Sequence, residues 1–529
     1  MTGSIFRGRL AALGLTAGLL GTVFLGGCAM SPAQRQALDP ANTVVPDGQG
    51  LLVARVVSNL SPSPILFRAT QLRVRAIPDG DTRYLSSKAA PTAGGAIFLE
   101  ALPPGRYQLL ELTMQVGNGS SSARLDRQVP YFEVQANRVT DLGALVIAFE
   151  SAGIFSGKYR VGFLPSPTDT DSVLQHLPTS LRDRLSAIPP LRVVLAKDPE
   201  DNQQILSFAR TFSSITSQSE LSDGLPVAFG RTLGIVSDWN PGTQAWSHVD
   251  TGRSFNVRSV SIEPNGTRLL GLEEGVLLLD DGFSVTAIPP PLTGASILFV
   301  GRRRNGEIIA VVEDRNNYVV FSSPGLKPPA WTELKRFPVE RMVNPYLDTT
   351  PQIALARDRL VIFIGVIGWT ADTVVHSLDF ATGAWESHPS AVSSIVITKF
   401  IVLYDGTIIS AGGTAFTRAL FRSTDWGKTW VRKPQENWSM QPIVRDNNVM
   451  YMWRLDGLAL TESSSVSWLL KSENGGETWT LMGELPKYMS AIHILPKPGW
   501  LLLTTRAGSL YISNDDGKTW KPELVRFRQ

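Results

Sequence analysis

Ser423-Thr424-Asp425-Trp426-Gly427-Lys428-Thr429-Trp430, Ser472-Glu473-Asn474-Gly475-Gly476-Glu477-Thr478-Trp479 and Ser513-Asn514-Asp515-Asp516-Gly517-Lys518-Thr519-Trp520 are three versions of one octapeptide. Each has the chemistry of a hairpin. The Asp or Asn oxygen accepts backbone N–H groups inside the turn, and the Gly supplies a positive φ. The Ser and Thr hydroxyls tie the two strands, and the Trp packs between neighbouring sheets. Weaker versions precede them: Asn240-Pro241-Gly242-Thr243 before Trp246, Asp280-Asp281-Gly282-Phe283-Ser284-Val285, Trp331, and Asp379-Phe380-Ala381-Thr382-Gly383-Ala384-Trp385. The closing positions 246, 285, 331, 385, 430, 479 and 520 are spaced by 39, 46, 54, 45, 49 and 41 residues. A second series of turns runs between them: Asn265-Gly266, Asn305-Gly306, Arg357-Asp358, Asp405-Gly406, Asn447-Asn448 and Pro498-Gly499.

Two interleaved turn series at one period divide each unit into four strands, as in Ile401–Leu403, Thr407–Ala411, Ala419–Ser423 and Thr429–Arg432. Four-strand units of about 40–50 residues are propeller blades. One blade cannot bury both its faces, so the units must close into a ring; the count favours seven, with six and eight also open. Glu307–Val312, Leu360–Ile367 and Trp500–Thr505 read as inner strands, apolar as strands covered on both faces must be. The expected fold is all-β: an N-terminal β-sandwich (50–150), a connector with a short helix (151–205) and a β-propeller (206–529).

The octapeptides look like the Asp box, Ser-x-Asp-x-Gly-x-Thr-Trp, of the bacterial-neuraminidase-repeat propellers. The matching residues are Ser423, Asp425, Gly427, Thr429 and Trp430; Ser472, Asn474, Gly476, Thr478 and Trp479; and Ser513, Asp515, Gly517, Thr519 and Trp520. The resemblance implies that the boxes are structural and sit on the face away from the ligand. Binding would then use the opposite rim, which includes Glu273-Glu274, Glu313, Arg315, Trp369, Trp453, Arg454 and Arg506. Exposed Trp and Arg there would suit a protein or glycan partner. Arg302-Arg303-Arg304 reads as a solvated hairpin tip.

Sialidases carry the same boxes, and their chemistry needs three Arg on a carboxylate, a Tyr/Glu nucleophile pair and an Asp acid. Their opening Phe/Tyr-Arg-Ile-Pro has no counterpart here; the nearest segment, Arg336-Phe337-Pro338, follows the third closing position. Tyr404 or Tyr488, with Glu484, can be nominated as a nucleophile pair, but nothing in their spacing distinguishes them from packing residues. No catalytic residue is assigned. Gly427-Lys428-Thr429 and Gly517-Lys518-Thr519 mimic the tail of a phosphate-binding loop. The Gly that such a loop needs five residues earlier is replaced by Arg422 and Ile512. Asn514-Asp515-Asp516 lacks the spacing and distal Glu of an EF-hand.

The N-terminus reads as an address. Arg7 and Arg9 precede an apolar run from Leu10 to Leu25, whose 16 residues fall short of a membrane span of about 20. Leu25-Gly26-Gly27-Cys28 resembles the lipobox of bacterial lipoproteins, which implies a signal peptide over 1–27, a lipid on Cys28 that anchors the chain to a membrane, and a tether over 28–49. Ala29 in place of Asp after the cysteine favours, by the same resemblance, the outer membrane.

From Leu51 to Phe149, short alternating runs are broken by turn signals at Pro78-Asp79-Gly80, Pro103-Pro104-Gly105 and Ala136-Asn137, which reads as an antiparallel sandwich. Leu102-Pro103-Pro104-Gly105-Arg106-Tyr107, with Phe132-Glu133-Val134 and Asp141-Leu142-Gly143, resembles the transthyretin-like sandwich modules, usually spacers. In the connector, Val173, Leu174, Leu177, Leu181, Leu185 and Ile188 lie near helical spacing, interrupted at Pro178.

Composition removes several classes. The 529 residues are 43% apolar and 18% charged, which excludes a disordered chain. Fifty Lys and Arg against 47 Asp and Glu leave a formal +3, two of it in the expected signal peptide, so no electrostatic footprint for nucleic acid exists. One Cys excludes a disulfide framework, and the five scattered His have no metal-ligand spacing, so neither metal nor cofactor is expected. The function these readings favour is an outer-membrane-anchored lipoprotein whose propeller is a non-catalytic binding or assembly scaffold. The alternative is a sialidase-like or other glycoside hydrolase.

Overall fold

The structure, a computed structural model, describes residues 40–60, 68–78, 80–89, 96–116, 119–126, 131–151, 157–164, 173–193, 199–221, 226–263, 265–314, 317–338, 351–367, 371–392, 399–413, 418–435, 442–456, 466–487, 489–505 and 508–523. The lipobox and Cys28 lie outside these residues. Among them no helix is long and apolar enough to cross a membrane.

Among the described residues, seven four-stranded antiparallel sheets follow one another over residues 215–250 (sheet I), 257–288 (II), 296–338 (III), 352–389 (IV), 400–435 (V), 443–484 (VI) and 489–523 (VII). In each, the strands are hydrogen-bonded in sequence order. Sheet V is made of Phe400–Val402, Ile408–Gly413, Arg418–Ser423 and Val431–Gln435, within three residues of the strands read from the sequence. The seven closing positions all fall at the start of the fourth strand: positions 430, 479 and 520, for example, directly precede Val431–Gln435, Thr480–Glu484 and Lys521–Glu523.

Buried second strands, such as Ile308–Asp314 and Leu501–Thr505, leave each sheet apolar on both faces, and every gap between neighbouring sheets is filled. Val236 of sheet I packs with Leu270 of II, Leu269 of II with Ile297 of III, and Ile309 of III with Ile362 of IV. Phe363 of IV packs with Phe421 of V, Leu420 of V with Met450 of VI, and Leu469 of VI with Leu501 of VII. The seventh gap closes the ring. Phe229 and Trp239 of sheet I share a core with Leu502 and Leu510 of VII, Trp239 and Trp500 lie 5.2 Å apart, and His493 Nδ1 is 3.0 Å from Gln218 Oε1. Each sheet therefore has two neighbours, and the fold is an all-β propeller.

Ahead of the ring, two sheets face each other across one core containing Leu52, Phe98, Leu109, Leu112, Leu145 and Phe163. One has Gly157–Leu164, Val139–Ser151, Gly50–Ser58, Ala96–Leu102 and Lys88–Ala89 side by side; the other has Thr82–Ser86, Arg68–Ile77, Gly105–Val116 and Gly119–Arg124. The sandwich is not wholly antiparallel as expected, because Gly50–Ser58 runs parallel to Val139–Ser151. That pairing joins strands far apart in sequence, so no local turn signal announces it. The sheet also takes in Gly157–Leu164, a strand from the stretch read as connector.

Among the described residues come α1, Thr179–Ser186, directly after Pro178, and α2, Pro199–Thr211. Val173, Leu174, Leu177, Leu181 and Leu185 are buried against the sandwich, whereas Ile188, expected on the same stripe, is 41% exposed because α1 ends before reaching it. Helix α2 packs Ile205, Leu206 and Ala209 against Val57 and Val146 of the sandwich and Leu233 of sheet I. The fully buried Arg231 guanidinium of sheet I donates to the carbonyls of Thr211 and Ser213 at the end of α2, at 3.0 and 2.6 Å. Asn59 O accepts from Thr232 Oγ1 and Ser214 N, so sandwich, helix and ring meet at one joint.

Candidate functional site

Antiparallel strand order sends the turns between strands one and two, and between strands three and four, to one end of the ring. The turns between strands two and three go to the other end. The two ends are built differently.

The three boxes occupy the first end and repeat one geometry. Ser Oγ donates to Asp425, Asn474 or Asp515 Oδ1 at 2.8–3.0 Å and accepts from the N–H of Gly427, Gly476 or Gly517 at 2.8–2.9 Å. The same Oδ1 accepts from the N–H of Thr429, Thr478 or Thr519 at 2.9–3.0 Å. Burial pushes the Asp425 and Asp515 carboxyls up, but the Thr hydroxyl and amide donors outweigh it and hold both below the usual carboxylate range. The glycines have φ of 89°, 84° and 83°, and each is pressed against the preceding sheet: a Cβ on Gly427 would meet Val375, one on Gly476 Leu420, and one on Gly517 Leu469. Trp430, Trp479 and Trp520 pack in the cores between sheets. The hydrogen-bonding groups of these three octapeptides are thus directed at the turn itself.

Neighbouring turns at this end are laced together. Arg422 Nη2 donates to Asn447 Oδ1 and Asn447 Nδ2 to Asp405 Oδ2, both at 2.5 Å, while Lys428 Nζ reaches Glu386 Oε1 at 3.1 Å. Tyr451 OH donates to Asp516 Oδ1 at 2.6 Å. Arg302-Arg303-Arg304 is not simply a solvated tip: Arg302 pairs with Glu263 at 2.9 Å, and Arg303 pairs with Glu307 and stacks over Phe380.

Arg304 makes no such pair among the described residues. Its guanidinium lies 5.2 Å from the Tyr404 ring centroid, and that of Arg357 lies 6.0 Å from the same ring. The three residues come from the first turns of sheets III, IV and V, and all are exposed, Tyr404 by 55%. Neither guanidinium has a salt-bridge partner within 4 Å among the described residues, although Asp405 lies close enough to feel Arg357. An exposed phenol with two guanidiniums over its ring, neither ion-paired among the described residues, combines residue types that are enriched at protein interfaces. The signal for it was present in the sequence as Arg304-Asn305-Gly306, Arg357-Asp358 and Tyr404-Asp405-Gly406, tips of consecutive turns read there only as punctuation.

The opposite end is partly covered. Glu273 and Glu274, placed on the binding rim by the sequence, are 1% and 2% exposed and lie under the sandwich. Arg55 Nη2 donates to Glu273 Oε2 at 2.9 Å, His176 Nε2 bonds Glu274 Oε2, and Arg55 stacks 4.0 Å over Phe255. Asn256 Nδ2 adds a bond to Glu273 Oε1 at 3.0 Å. Burial pushes the Glu273 carboxyl up, with Arg55 opposing. These carboxylates clasp the domains together; the acidic pair was misread because its partner stands 218 residues earlier.

Of the other rim candidates, Arg315, Trp369 and Arg506 lie outside the described residues. Glu313 is half-buried in register with Ser296 and Tyr318. Trp453 is half-buried and packs against the core between sheets VI and VII, and Arg454 beside it is half-buried. The described members stand apart, Glu313 on sheet III and Trp453 with Arg454 on sheet VI. Nor does the structure join the nominated nucleophile pair: Tyr404 sits at the box end, whereas Glu484 ends a fourth strand at the opposite end, and Tyr488 lies outside the described residues. No group of three or more His, Cys, Asp or Glu side chains able to hold a metal occurs among the described residues.

No sequence-family profile matches the chain. No curated protein matches it either. Among solved structures it is similar to YCF48 bound to D1 peptide, at 16% identity over 58% of this chain and 94% of that one, with a TM-score of 0.42. It is also similar to a streptogramin B lyase (10% identity, 56% and 92%, TM-score 0.40) and to BamB from Moraxella catarrhalis (12%, 57% and 84%, 0.34). At such TM-scores these likenesses add nothing to the argument; the propeller stands on its seven sheets and the seven cores between them.

Proposed function

We propose that this chain is a lipid-anchored envelope protein whose propeller is a non-catalytic binding scaffold, engaging a protein partner at the box end of the ring. The observation that carries the reading is the exposed Tyr404 flanked by Arg304 and Arg357. The opposite end is partly taken up by the chain's own sandwich, which favours the box end for a partner. Two guanidiniums beside a phenol suit a segment carrying Asp or Glu side chains, which each planar fork can bind bidentately. The acidic groups interspersed among them, Asp358 and Asp405, disfavour a uniformly anionic glycan or lipid surface.

The anchor rests on the Leu25-Gly26-Gly27-Cys28 motif, and the outer membrane on Ala29. The sandwich and tether would then hold the ring clear of the bilayer, in keeping with the spacer role that the transthyretin-like resemblance implies. The test is affinity capture from envelope extracts with the intact lipidated chain. The expected result is a partner retained by wild type and lost from the Arg304→Ala/Arg357→Ala/Tyr404→Ala variant, with Cys28→Ala moving the protein out of the membrane fraction. Equal capture by both proteins, or turnover of fluorogenic sialosides, would replace this reading with another.

A further inference from the structure

The first strands of the sheets border the axis of the ring and are tied to one another across the gaps. Thr216 Oγ1 of sheet I donates to Val257 O of II at 2.6 Å, Val300 N of III donates to Ser259 Oγ of II at 2.9 Å, and Phe400 N of V donates to Gln352 Oε1 of IV at 2.7 Å. A further contact crosses the axis at the box end instead of following the ring. The Glu220 carboxyl, two residues past the first strand of sheet I, accepts from the N–H of Leu355 in the first strand of sheet IV. Sheets II and III stand between the two on one side, and V, VI and VII on the other.

Both partners are held in place for this contact. Ser219 is fixed on sheet I, its N–H donating to Ala228 O at 2.8 Å and its Oγ accepting from Ala228 N at 3.0 Å, while Leu221 packs against the cores on both sides of sheet VII. On sheet IV, the two-residue turn Arg357-Asp358 makes Ala356 and Arg359 a hydrogen-bonded pair. Leu355, opposite Leu360 in the next pair, therefore directs its N–H away from the second strand, on the side where sheet IV has no further strand. Two residues on stands Arg357, whose guanidinium lies over Tyr404 and whose φ of 50° is strained for a residue other than Gly.

Glu220 keeps a water-exposed side, and the ring encloses the rest of it. That enclosure raises its carboxyl to about 7, against the opposing Leu355 N–H; no charged side chain among the described residues contributes. The elements packed against residues 219–221 carry Arg357 and Asp358 on IV, Arg445 and Asp446 on VI, and His493 and Lys497 on VII, with Lys399 of V near His493. His493, lowered to about 3 by burial and then by Lys399, is neutral near pH 7. The docked Glu220 carboxyl holds its proton more tightly than a free one, about 7 against 4.5, so protonation favours docking.

We propose that Glu220 is a proton-controlled strap on the box-end surface: neutral, it docks on Leu355 and holds the Arg357 turn beside Tyr404; ionised, it leaves for water and frees that turn. The strap stands on the Glu220–Leu355 contact, and its consequence, tighter partner binding at pH 6 than at pH 8, rests on the box-end reading.

The test is residue-resolved amide exchange of Leu355 in the full chain at pH 6 and pH 8, corrected for the intrinsic pH dependence of exchange. Leu355 reports the strap directly, because its N–H has no other acceptor among the described residues. Its protection should fall about tenfold from pH 6 to pH 8, the ratio that 4.5 and about 7 set, with the second strand Arg359–Ile367 unchanged. Glu220→Gln should protect Leu355 at both pH values, and Glu220→Ala at neither. Equal protection of Leu355 in wild type at pH 6 and pH 8, or a Glu220→Gln variant that keeps the wild-type pH dependence, overturns the proposal. The measurement needs no partner, so the strap can fail while the box-end reading stands; capture by the Arg304→Ala/Arg357→Ala/Tyr404→Ala variant tests that reading with Glu220 intact.

Discussion

Two turns of the same ring carry acidic side chains and satisfy them in opposite ways. In the box of sheet V, Asp425 is bonded entirely by its own hairpin, from Ser423 and Thr429. In the second turn of sheet II, the carboxylates of Glu273 and Glu274 are buried and take Arg55 and His176 from outside the ring, with Asn256 of the ring also bonding Glu273. The first is a local device that stiffens one hairpin and repeats wherever its octapeptide recurs. The second is a tertiary device, used once, that fixes where the sandwich sits.

The comparison breaks most readily at the clasp. Arg55→Met leaves Glu273 and Glu274 buried without their guanidinium, and loss of one partner of a buried pair costs about 3–5 kcal/mol. Equilibrium denaturation should show that loss, and exchange of amides in Gly50–Ser58 and Arg268–Leu272 should accelerate together. A cost below about 1 kcal/mol would mean the carboxylates find other donors.

Gly427→Ala is the next largest. The methyl group meets Val375 at 3.0 Å or slightly more on a backbone at φ 89°, so a loss of about 1–3 kcal/mol is expected, confined to sheets IV and V. Gly306→Ala, at φ 90° but with open space around it, should cost about 1 kcal/mol from backbone strain alone. Equal losses for the two would remove the close approach to the preceding sheet as a reason for the box glycine.

The smallest effect concerns charge. Asp425→Asn keeps an acceptor and a donor for Thr429, as Asn474 does for Thr478 in the next box, so it should cost about 1 kcal/mol at pH 7. The folded-state pKa of Asp425 lies below 3.8, so its extra stability is complete above 3.8 and is lost as pH falls through the lower, folded value. Wild type and variant should therefore converge below that value. His248 behaves differently. Burial, then the nearby Arg231, lowers it to about 4, so its contribution is complete above 6.5 and is already declining between 6.5 and 4. A denaturation series from pH 7 to 3 separates the two windows.

The same contrast explains what could be read from the chain. The box residues, the closing positions and the four-strand period were legible because each hairpin satisfies itself within eight residues, leaving a signature in sequence order. The inner strands were legible because burial on both faces demands unbroken apolar runs. The parallel pairing of Gly50–Ser58 with Val139–Ser151 and the Arg55–Glu273 pair were not, since each depends on segments brought together only by the finished fold. Glu273-Glu274 was assigned to an exposed rim because, in sequence, a charged pair in a turn looks the same whether solvent or another domain lies above it. The Arg304–Tyr404–Arg357 group spans three units, and only ring closure turns three punctuation marks into one surface.

The central claim is that the seven sheets form one closed ring, with sheet VII packed on sheet I. Amide hydrogen exchange on a chain lacking residues 489–529 tests it most directly. Because sheet VII fills the gap between VI and I, the account predicts lost protection in Val227–Arg231 of sheet I, more than 250 residues from the cut, together with Met450–Asp456 of VI. Unchanged protection in sheet I, with losses confined to sheet VI, would describe an open row of sheets and contradict the ring.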